Sequence, residues 1–219
     1  MMTLGHFFKN DIVASAGGLP PHILKLLSIA EPPNPPEEGL TPIGEEIVRE
    51  MLSLGIIVDL VHSTPHARSE VFKINSNRRP LVFSHAAYNP AFAHPVNPTV
   101  EELLKIKKCG GVIGIIFMNY WLTGIEEDPD PLHEIFKREN GIDTIVSVIK
   151  AIASVTKTFD NISIGTDFDG FTDPPDDLQD ISMFPKLRDK LIRENISADN
   201  VDRIFHHNAM RILKNGWGT

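Results

Sequence analysis

The feature that most constrains the fold is a series of four short apolar runs, each preceded by a helical pattern. The runs are rich in β-branched residues and are continuous instead of alternating, which is typical of strands covered on both faces. Strands that alternate with helices indicate βα units and a parallel sheet. The sequence therefore predicts an α/β fold, either an open doubly wound sheet or a closed barrel. The runs lie at 55–62, 80–85, 110–117 and 161–170.

Start and stop signals predict four helices around these strands. Thr41 followed by Pro42 is typical of a capped helix start, and Ser197 precedes the last helical pattern in the same way. We find no domain boundary and expect one partial barrel domain over 1–219, interrupted by a Pro-rich connector at 31–39 and a surface excursion at 124–140. The predicted helices run over 43–53, 98–108, 141–157 and 197–213.

Composition and charge exclude several classes of protein. The net charge of −8, with Lys and Arg dispersed among acids, argues against a nucleic-acid surface. No apolar run approaches the ~20 residues that span a bilayer, and the start of the sequence does not resemble a secretory signal. The single cysteine, Cys109, excludes an internal disulfide framework. We expect a cytoplasmic protein acting on a small molecule; the sequence does not decide between a monomer and a homodimer.

Three of the four predicted strands lead into residues able to bind a metal or move a proton, His62, His85 and Asp167. In a closed barrel the carboxyl ends of the strands converge on one mouth, where such folds carry their active sites. Neutral imidazole suits zinc, and a nearby carboxylate could orient or deprotonate a water molecule. A histidine after a strand is also often just the first polar residue of a loop, so both interpretations remain open.

The other candidate residues receive simpler interpretations. His66, His94 and His133 are expected to be surface histidines in loops. The adjacent pair His206–His207 lies in the last helical pattern, where neighbours point about 100° apart and cannot both serve one site. We therefore expect that pair to be structural, and we assign Cys109 no role.

An ordered series of motifs identifies a family. The sequences at 58–62 (VDLVH), 82–87 (VFSHAA), 110–113 (GGVI) and 164–170 (IGTDFDG) together resemble the membrane dipeptidase family, peptidase family M19. Further matches are 40–44, 178–182 and 208–212. The similarity covers essentially the whole chain from residue 40, and more loosely from residue 3. The ordered series is far more specific than any one of its motifs.

The resemblance implies a TIM-like (β/α)8 barrel of a metal-dependent hydrolase that cleaves the peptide bond of dipeptides with two zinc ions. His62 and His85 would be ligands of the second zinc, and Asp167 would be the acid/base group beside the water. His6, in the stretch that begins at Thr3, would contact the scissile carbonyl. Tyr120 or Trp121 could also approach the substrate.

The chain departs from the family pattern in two respects. The family barrel begins with a strand carrying His-x-Asp for the first zinc, followed by a bridging glutamate, and no His-x-Asp occurs here. We therefore expect the C-terminal two-thirds of the barrel, with the N-terminal strands missing. The family arginine that binds the dipeptide carboxylate falls in the loop after His85, which reads Ala93-His94-Pro95-Val96-Asn97 and contains no arginine.

The expected function is that of a zinc-dependent dipeptidase-like hydrolase, present as a truncated form, that uses metal-activated water. The first alternative is an amidohydrolase of another substrate class, acting on a lactam, lactone or phosphoester, because loops decide the substrate. The second is an inactive remnant or a binding module, which the absence of the first-zinc ligands favours.

Overall fold

The computed structural model describes most of the chain. The Pro-rich connector and the 124–140 excursion lie largely or wholly outside the described part, as does His133. Their expected structures, and the assignment of one domain, therefore stay predictions. The described residues are 1–29, 37–88, 90, 94–123, 141–170 and 174–216.

The described residues contain one parallel sheet of five strands in chain order, so its edges are β1 and β5. The four predicted strands are confirmed but are shorter than their apolar runs. The sequence did not indicate the first strand, which is only two residues long. Within the described residues the sheet does not close into a barrel. The strands are β1 (Met2–Thr3), β2 (Val58–Asp59), β3 (Val82–Ala86), β4 (Val112–Ile115) and β5 (Ile162–Ile164).

Helices connect the strands, and the predicted cap signals are present. Thr41 Oγ1 accepts a hydrogen bond from Gly44 N at 3.1 Å, and Thr99 forms a capping box with Glu102. These contacts satisfy amides that the first helical turn leaves without partners. The helices are α1 (Pro21–Leu26), α2 (Pro42–Ser53), α3 (Pro65–Asn75), α4 (Val100–Lys108), α5 (Asn119–Thr123), α6 (Gly141–Thr156), α7 (Phe184–Arg193), α8 (Ala198–Asp202) and α9 (Asn208–Gly216), with a 3₁₀ turn at Ile181–Met183.

The last predicted helix is confirmed, and one expectation about a loop was wrong. The helix begins at its predicted cap, Ser197, and contains a π-helical turn at Arg203–His207 between α8 and α9. Beyond this wider turn, the buried Asn208 amide donates hydrogen bonds to the carbonyls of Phe159 and Ile162 beside β5, each at 2.8 Å. His66 does not lie in a loop but in the first turn of α3, because Thr64 caps that helix and Pro65 begins it.

The main cluster of buried apolar side chains extends from Leu4 to Ile204 and joins the sheet to the helices. A second, small cluster consists of Ile57, Val82, Val112 and Ile212. Two glycines allow the strands to approach closely. A Cβ atom at Gly114 or Gly165 would lie about 2 Å from the Ser84 carbonyl oxygen. Among the described residues no helix is both long and apolar enough to cross a membrane.

Candidate metal and substrate site

The carboxyl ends of the strands bring four of the candidate residues together. Nε2 of His62 lies 3.1 Å from Nε2 of His85. Oδ2 of Asp167 lies 4.0 Å from Nε2 of His85, and the His6 and His62 ring centroids are 4.5 Å apart. Residues far apart in the sequence thus meet at one place, as the parallel sheet predicts.

His62 is held in one orientation and one tautomer. Its side chain is buried, and its Nδ1 lies 3.2 Å from the carbonyl oxygen of Gly17. Because a carbonyl oxygen can only accept, Nδ1 must carry the proton, which leaves a lone pair on Nε2 when the ring is neutral. Burial, with a smaller contribution from the nearby His85, lowers the pKa of His62 to about 3. The ring is therefore neutral near pH 7.

His85 lies within β3 and is partly buried. Its Nδ1 lies 2.9 Å from the Ser84 hydroxyl, an oxygen that can accept the Nδ1 proton. Burial lowers the pKa of His85, and the negative charges of Asp167 and Asp59 partly oppose this shift. The two carboxylates thus favour positive charge at a ring that burial keeps neutral.

The facing Nε2 atoms indicate what the site can hold. Two neutral imidazoles with lone pairs 3.1 Å apart repel each other unless a proton or a cation lies between them. Imidazole nitrogens bind zinc at about 2.0–2.1 Å, so nitrogens roughly 3.3 Å apart can share one tetrahedral ion. The pair fits two ligands of a metal centre. Among the described residues, however, no group of three or more His, Cys, Asp or Glu side chains is arranged to hold an ion.

The backbone is in the left-handed region at two of these residues. His62 and Asp167 both have positive φ angles, of 62° and 58°. His and Asp are among the non-glycine residues that adopt this left-handed region most readily. The Asp167 side chain is 38% exposed, so this carboxylate is accessible at the mouth of the site.

His6 is positioned by the loop that follows β1. Its carbonyl oxygen accepts a hydrogen bond from the Ser15 hydroxyl, and Ser15 forms an antiparallel bridge with Ser63, the neighbour of His62. His6 is exposed, in contrast to the buried His62. This loop therefore places an accessible imidazole against the histidine pair.

Aromatic side chains cover one side of the site. Trp121 is buried, stacks on His85 with ring centroids 5.6 Å apart, and donates from Nε1 to the Gly18 carbonyl oxygen at 2.8 Å. Tyr120 lies farther out, with its ring 5.2 Å from that of His94. The expectation that His94 is a surface histidine was wrong, because its half-buried ring lies against Trp121 and burial lowers its pKa to about 4.

Sequence reasoning missed the buried carboxylate of Asp59. Its side chain is fully buried beneath the histidine pair and accepts hydrogen bonds from β1, β3 and its own strand end. The available signal was an acidic residue inside a continuous apolar run, where a charge needs partners.

Fold and site together define a class of protein. Successive β/α units form a parallel sheet, and histidine and carboxylate side chains meet at the carboxyl ends of its strands. This is the arrangement of TIM-barrel enzymes, whose active sites are built at that face.

Within this class the chain belongs to the membrane dipeptidase family, peptidase family M19, whose family model matches residues 2–216. It is 35% identical over 178 residues to an uncharacterized dipeptidase of Schizosaccharomyces pombe, covering 81% of this chain and 40% of the relative. It is 32% identical over 180 residues to the dipeptidase tcpJ of Claviceps purpurea, covering 82% of this chain and 39% of that protein. The chain thus spans about two-fifths of the length of these curated relatives.

Solved structures have the same fold. A metallopeptidase of family M19, dipeptidase AC, matches with a TM-score of 0.71 and 25% identity over 84% of this chain and 52% of its own. A metallopeptidase of Rhodobacter sphaeroides, solved with a phosphinate mimic of L-Ala-D-Ala, matches with a TM-score of 0.76 and 21% identity over 98% of this chain and 55% of its own. The expected TIM-like α/β fold is confirmed, and the family implies metal dependence.

Proposed function

We propose that the chain carries the second-metal and proton-transfer part of a zinc-dependent dipeptidase site, which cleaves the peptide bond of dipeptides with water. His62 and His85 are the zinc ligands, Asp167 is the acid/base group, and His6 and Tyr120 contact the substrate. Family membership and the dipeptidase names of its relatives support this proposal.

The observation that carries the proposal is the pair of Nε2 atoms 3.1 Å apart. The Gly17 carbonyl fixes the tautomer of His62, and burial keeps that ring neutral. When the Ser84 hydroxyl accepts from His85 Nδ1, both Nε2 atoms carry lone pairs, and a cation between the rings relieves their repulsion. Zinc is the cation that neutral imidazoles suit best among common hydrolytic metals.

The residues of this chain have separate tasks in the reaction. Zinc bound at the pair would polarise a substrate carbonyl and lower the pKa of a water molecule. The accessible Asp167 carboxylate takes a proton from the attacking water and returns it to the leaving amine. The exposed His6 imidazole donates a hydrogen bond to the oxygen that gains negative charge at the scissile carbonyl. Trp121 excludes bulk water from one side of His85.

A second substrate class is favoured by one observation. His94 occupies the loop after β3, and its lowered pKa makes it neutral near pH 7, so it offers no positive charge to a dipeptide carboxylate. The alternative class has no dipeptide carboxylate to bind, and among its substrates, a lactam, lactone or phosphoester, the lactam and lactone are neutral and need no positive charge. The substrate assay therefore includes these compounds beside dipeptides.

The test is bound-metal stoichiometry on the metal-free chain after adding zinc, with hydrolysis assayed on the same sample. We expect zinc to bind and His85→Ala to remove most of that binding, because one of two nitrogen ligands is lost. Asp167→Asn should retain zinc and lose turnover. The exposed His206→Ala, on the π-helical turn, is the matched control and should change neither.

The outcomes separate the alternatives. Zinc binding that His85→Ala leaves unchanged would contradict the ligand assignment. Zinc binding with turnover of a lactam, lactone or phosphoester only would favour the second substrate class. A chain that binds no zinc and hydrolyses none of these compounds would favour an inactive remnant or a binding module.

A further inference from the structure

Asp59, in β2, is a fully buried carboxylate that three strands share. Its Oδ2 accepts from the Thr3 hydroxyl of β1 at 2.8 Å. Its Oδ1 accepts from the Ser84 amide of β3 at 2.9 Å and from the Val61 amide at 3.3 Å. Both carboxylate oxygens are therefore used, and each contact fixes a different part of the sheet.

Each contact lies close to a site residue in the sequence. Val61 immediately precedes His62, and Ser84 immediately precedes His85. Thr3 lies on the strand that leads into the loop of His6. A single carboxylate thus connects the strand ends that carry the three histidines of the site.

The charge of Asp59 has no cationic side chain to balance it among the ion pairs of the described residues. An uncompensated buried charge is unfavourable, and hydrogen bonds to neutral donors offset only part of its desolvation. A cation bound between the two facing imidazoles would supply the missing positive charge.

We propose that Asp59 is a positioning residue that sets the separation of the His62 and His85 Nε2 atoms and stabilises, by its charge, a cation bound between them. This inference rests on the proposed zinc site. It assigns a role to a residue that contacts neither the metal position nor the substrate.

Three variants separate charge from geometry. Asp59→Asn keeps the size of the side chain and an acceptor for the Ser84 and Val61 amides, but removes the charge. Asp59→Ala removes both. Asp189→Asn, an exposed carboxylate on α7 with no ion-pair partner among the described residues, is the control for a change of one unit in net charge.

The measurements are the zinc dissociation constant, from competition with a chelator, and the thermal midpoint of the metal-free protein. For Asp59→Asn we expect zinc to bind 10–100-fold more weakly, the range typical of lost partners of metal ligands, with the metal-free midpoint nearly unchanged. Asp189→Asn should bind zinc as the wild type does. If Asp59→Ala does not fold, the zinc affinity of Asp59→Asn still tests the positioning role.

Asp59→Asn with wild-type zinc affinity would overturn the positioning role while leaving the proposed function intact. A fall in the metal-free midpoint without a change in affinity would also overturn it, because Asp59 would then serve only the fold. A wild-type chain that binds no zinc would instead overturn the zinc site itself, and this inference with it.

Discussion

At the scale of single residues, the site depends on imidazoles that the fold keeps neutral. Burial is the largest influence on His62, His85 and His94, and for each it lowers the pKa. The backbone at His62 and Asp167 adopts the left-handed region, which persists only where the surrounding structure holds it. The local conformations are thus set by the loops and strands around them.

Stability of the metal-free protein should fall as pH is lowered below about 6.5. The folded pKa of His94 is lowered to about 4, so between those values the unfolded state binds a proton that the folded state does not. The stabilising contribution is present above pH 6.5 and is lost toward pH 4, with a slope of up to about 1.4 kcal/mol per pH unit. Urea unfolding of the wild type and His94→Gln at pH 7 and 5 measures the difference.

The matched control for this pH dependence is the exposed His207→Gln. We expect His94→Gln to have the shallower dependence and His207→Gln to follow the wild type. Equal pH slopes for the wild type and His94→Gln would contradict the buried, neutral state of His94.

Gly165→Ala should destabilise the protein by about 1–3 kcal/mol, the usual range for overpacking. The added Cβ atom would lie 2.0 Å from the Ser84 carbonyl oxygen, and a backbone atom cannot move aside as a flexible side chain can. Because Ser84 precedes His85, zinc affinity should fall as well. Ser163→Ala, at a small buried residue of β5, is the control, and chemical denaturation with zinc titration measures both effects.

At the scale of elements, one buried ion pair joins α3, α4 and the loop that carries His94. Arg68 donates from Nε to Glu102 Oε1 at 2.6 Å and from Nη1 to the Pro95 carbonyl oxygen at 2.8 Å. Glu102 Oε2 also accepts from the Thr99 amide at 2.8 Å, so the same carboxylate completes the cap of α4. This one ion pair therefore links two helices and a loop of the site.

Glu102→Gln should destabilise the protein by about 3–5 kcal/mol, because it leaves Arg68 as a buried charge without an anionic partner. The amide oxygen of glutamine can still accept from Thr99, so the loss is mainly that of charge. The control is Glu101→Gln, an exposed residue of the same helix paired with Lys105, where solvent screens the charges and stability should change little. Similar unfolding free energies for both variants would contradict this role of Arg68.

Periodic and capping signals predicted the main strands and several helices, because both arise from local chemistry. The Thr41-Pro42 and Thr64-Pro65 pairs carry the same signal, yet only the first was interpreted as a helix start. β1 could not be identified, since two residues carry no period, and only pairing with β2 makes Met2–Thr3 a strand. The π-helical turn directly precedes Asn208, whose hydrogen bonds reach residues more than 40 positions away, and no local pattern predicts it.

The candidate site was predictable where family motifs covered it, and the structure brings His62, His85 and Asp167 together. The burial of His94 could not be read from its sequence neighbours, because it depends on Trp121, which lies after a different strand. The contacts of Asp59 also join three separate strands. The metal role of His62 and His85, the acid/base role of Asp167 and the substrate role of His6 and Tyr120 stay predictions.

At the scale of the whole molecule, the site and the core are not separate layers. Trp121 belongs to the main buried cluster and also stacks on His85. Its indole N–H donates to the carbonyl of Gly18, the neighbour of Gly17, whose carbonyl contacts His62. Loss of the site geometry should therefore accompany loss of the core, without an earlier step in which the site opens alone.

Equilibrium unfolding of the metal-free chain should accordingly be a single transition. In a Trp217→Phe variant, Trp121 is the remaining tryptophan, so its fluorescence reports on the site while far-UV circular dichroism reports on the helices. We expect the two urea midpoints and slopes to coincide, which is the test of two-state behaviour. The Trp121→Phe variant, which retains Trp217, measures the part of the fluorescence change that does not come from Trp121. A fluorescence transition at clearly lower urea would mean that the strand ends carrying the histidines unfold as a separate unit, against the shared packing of Trp121.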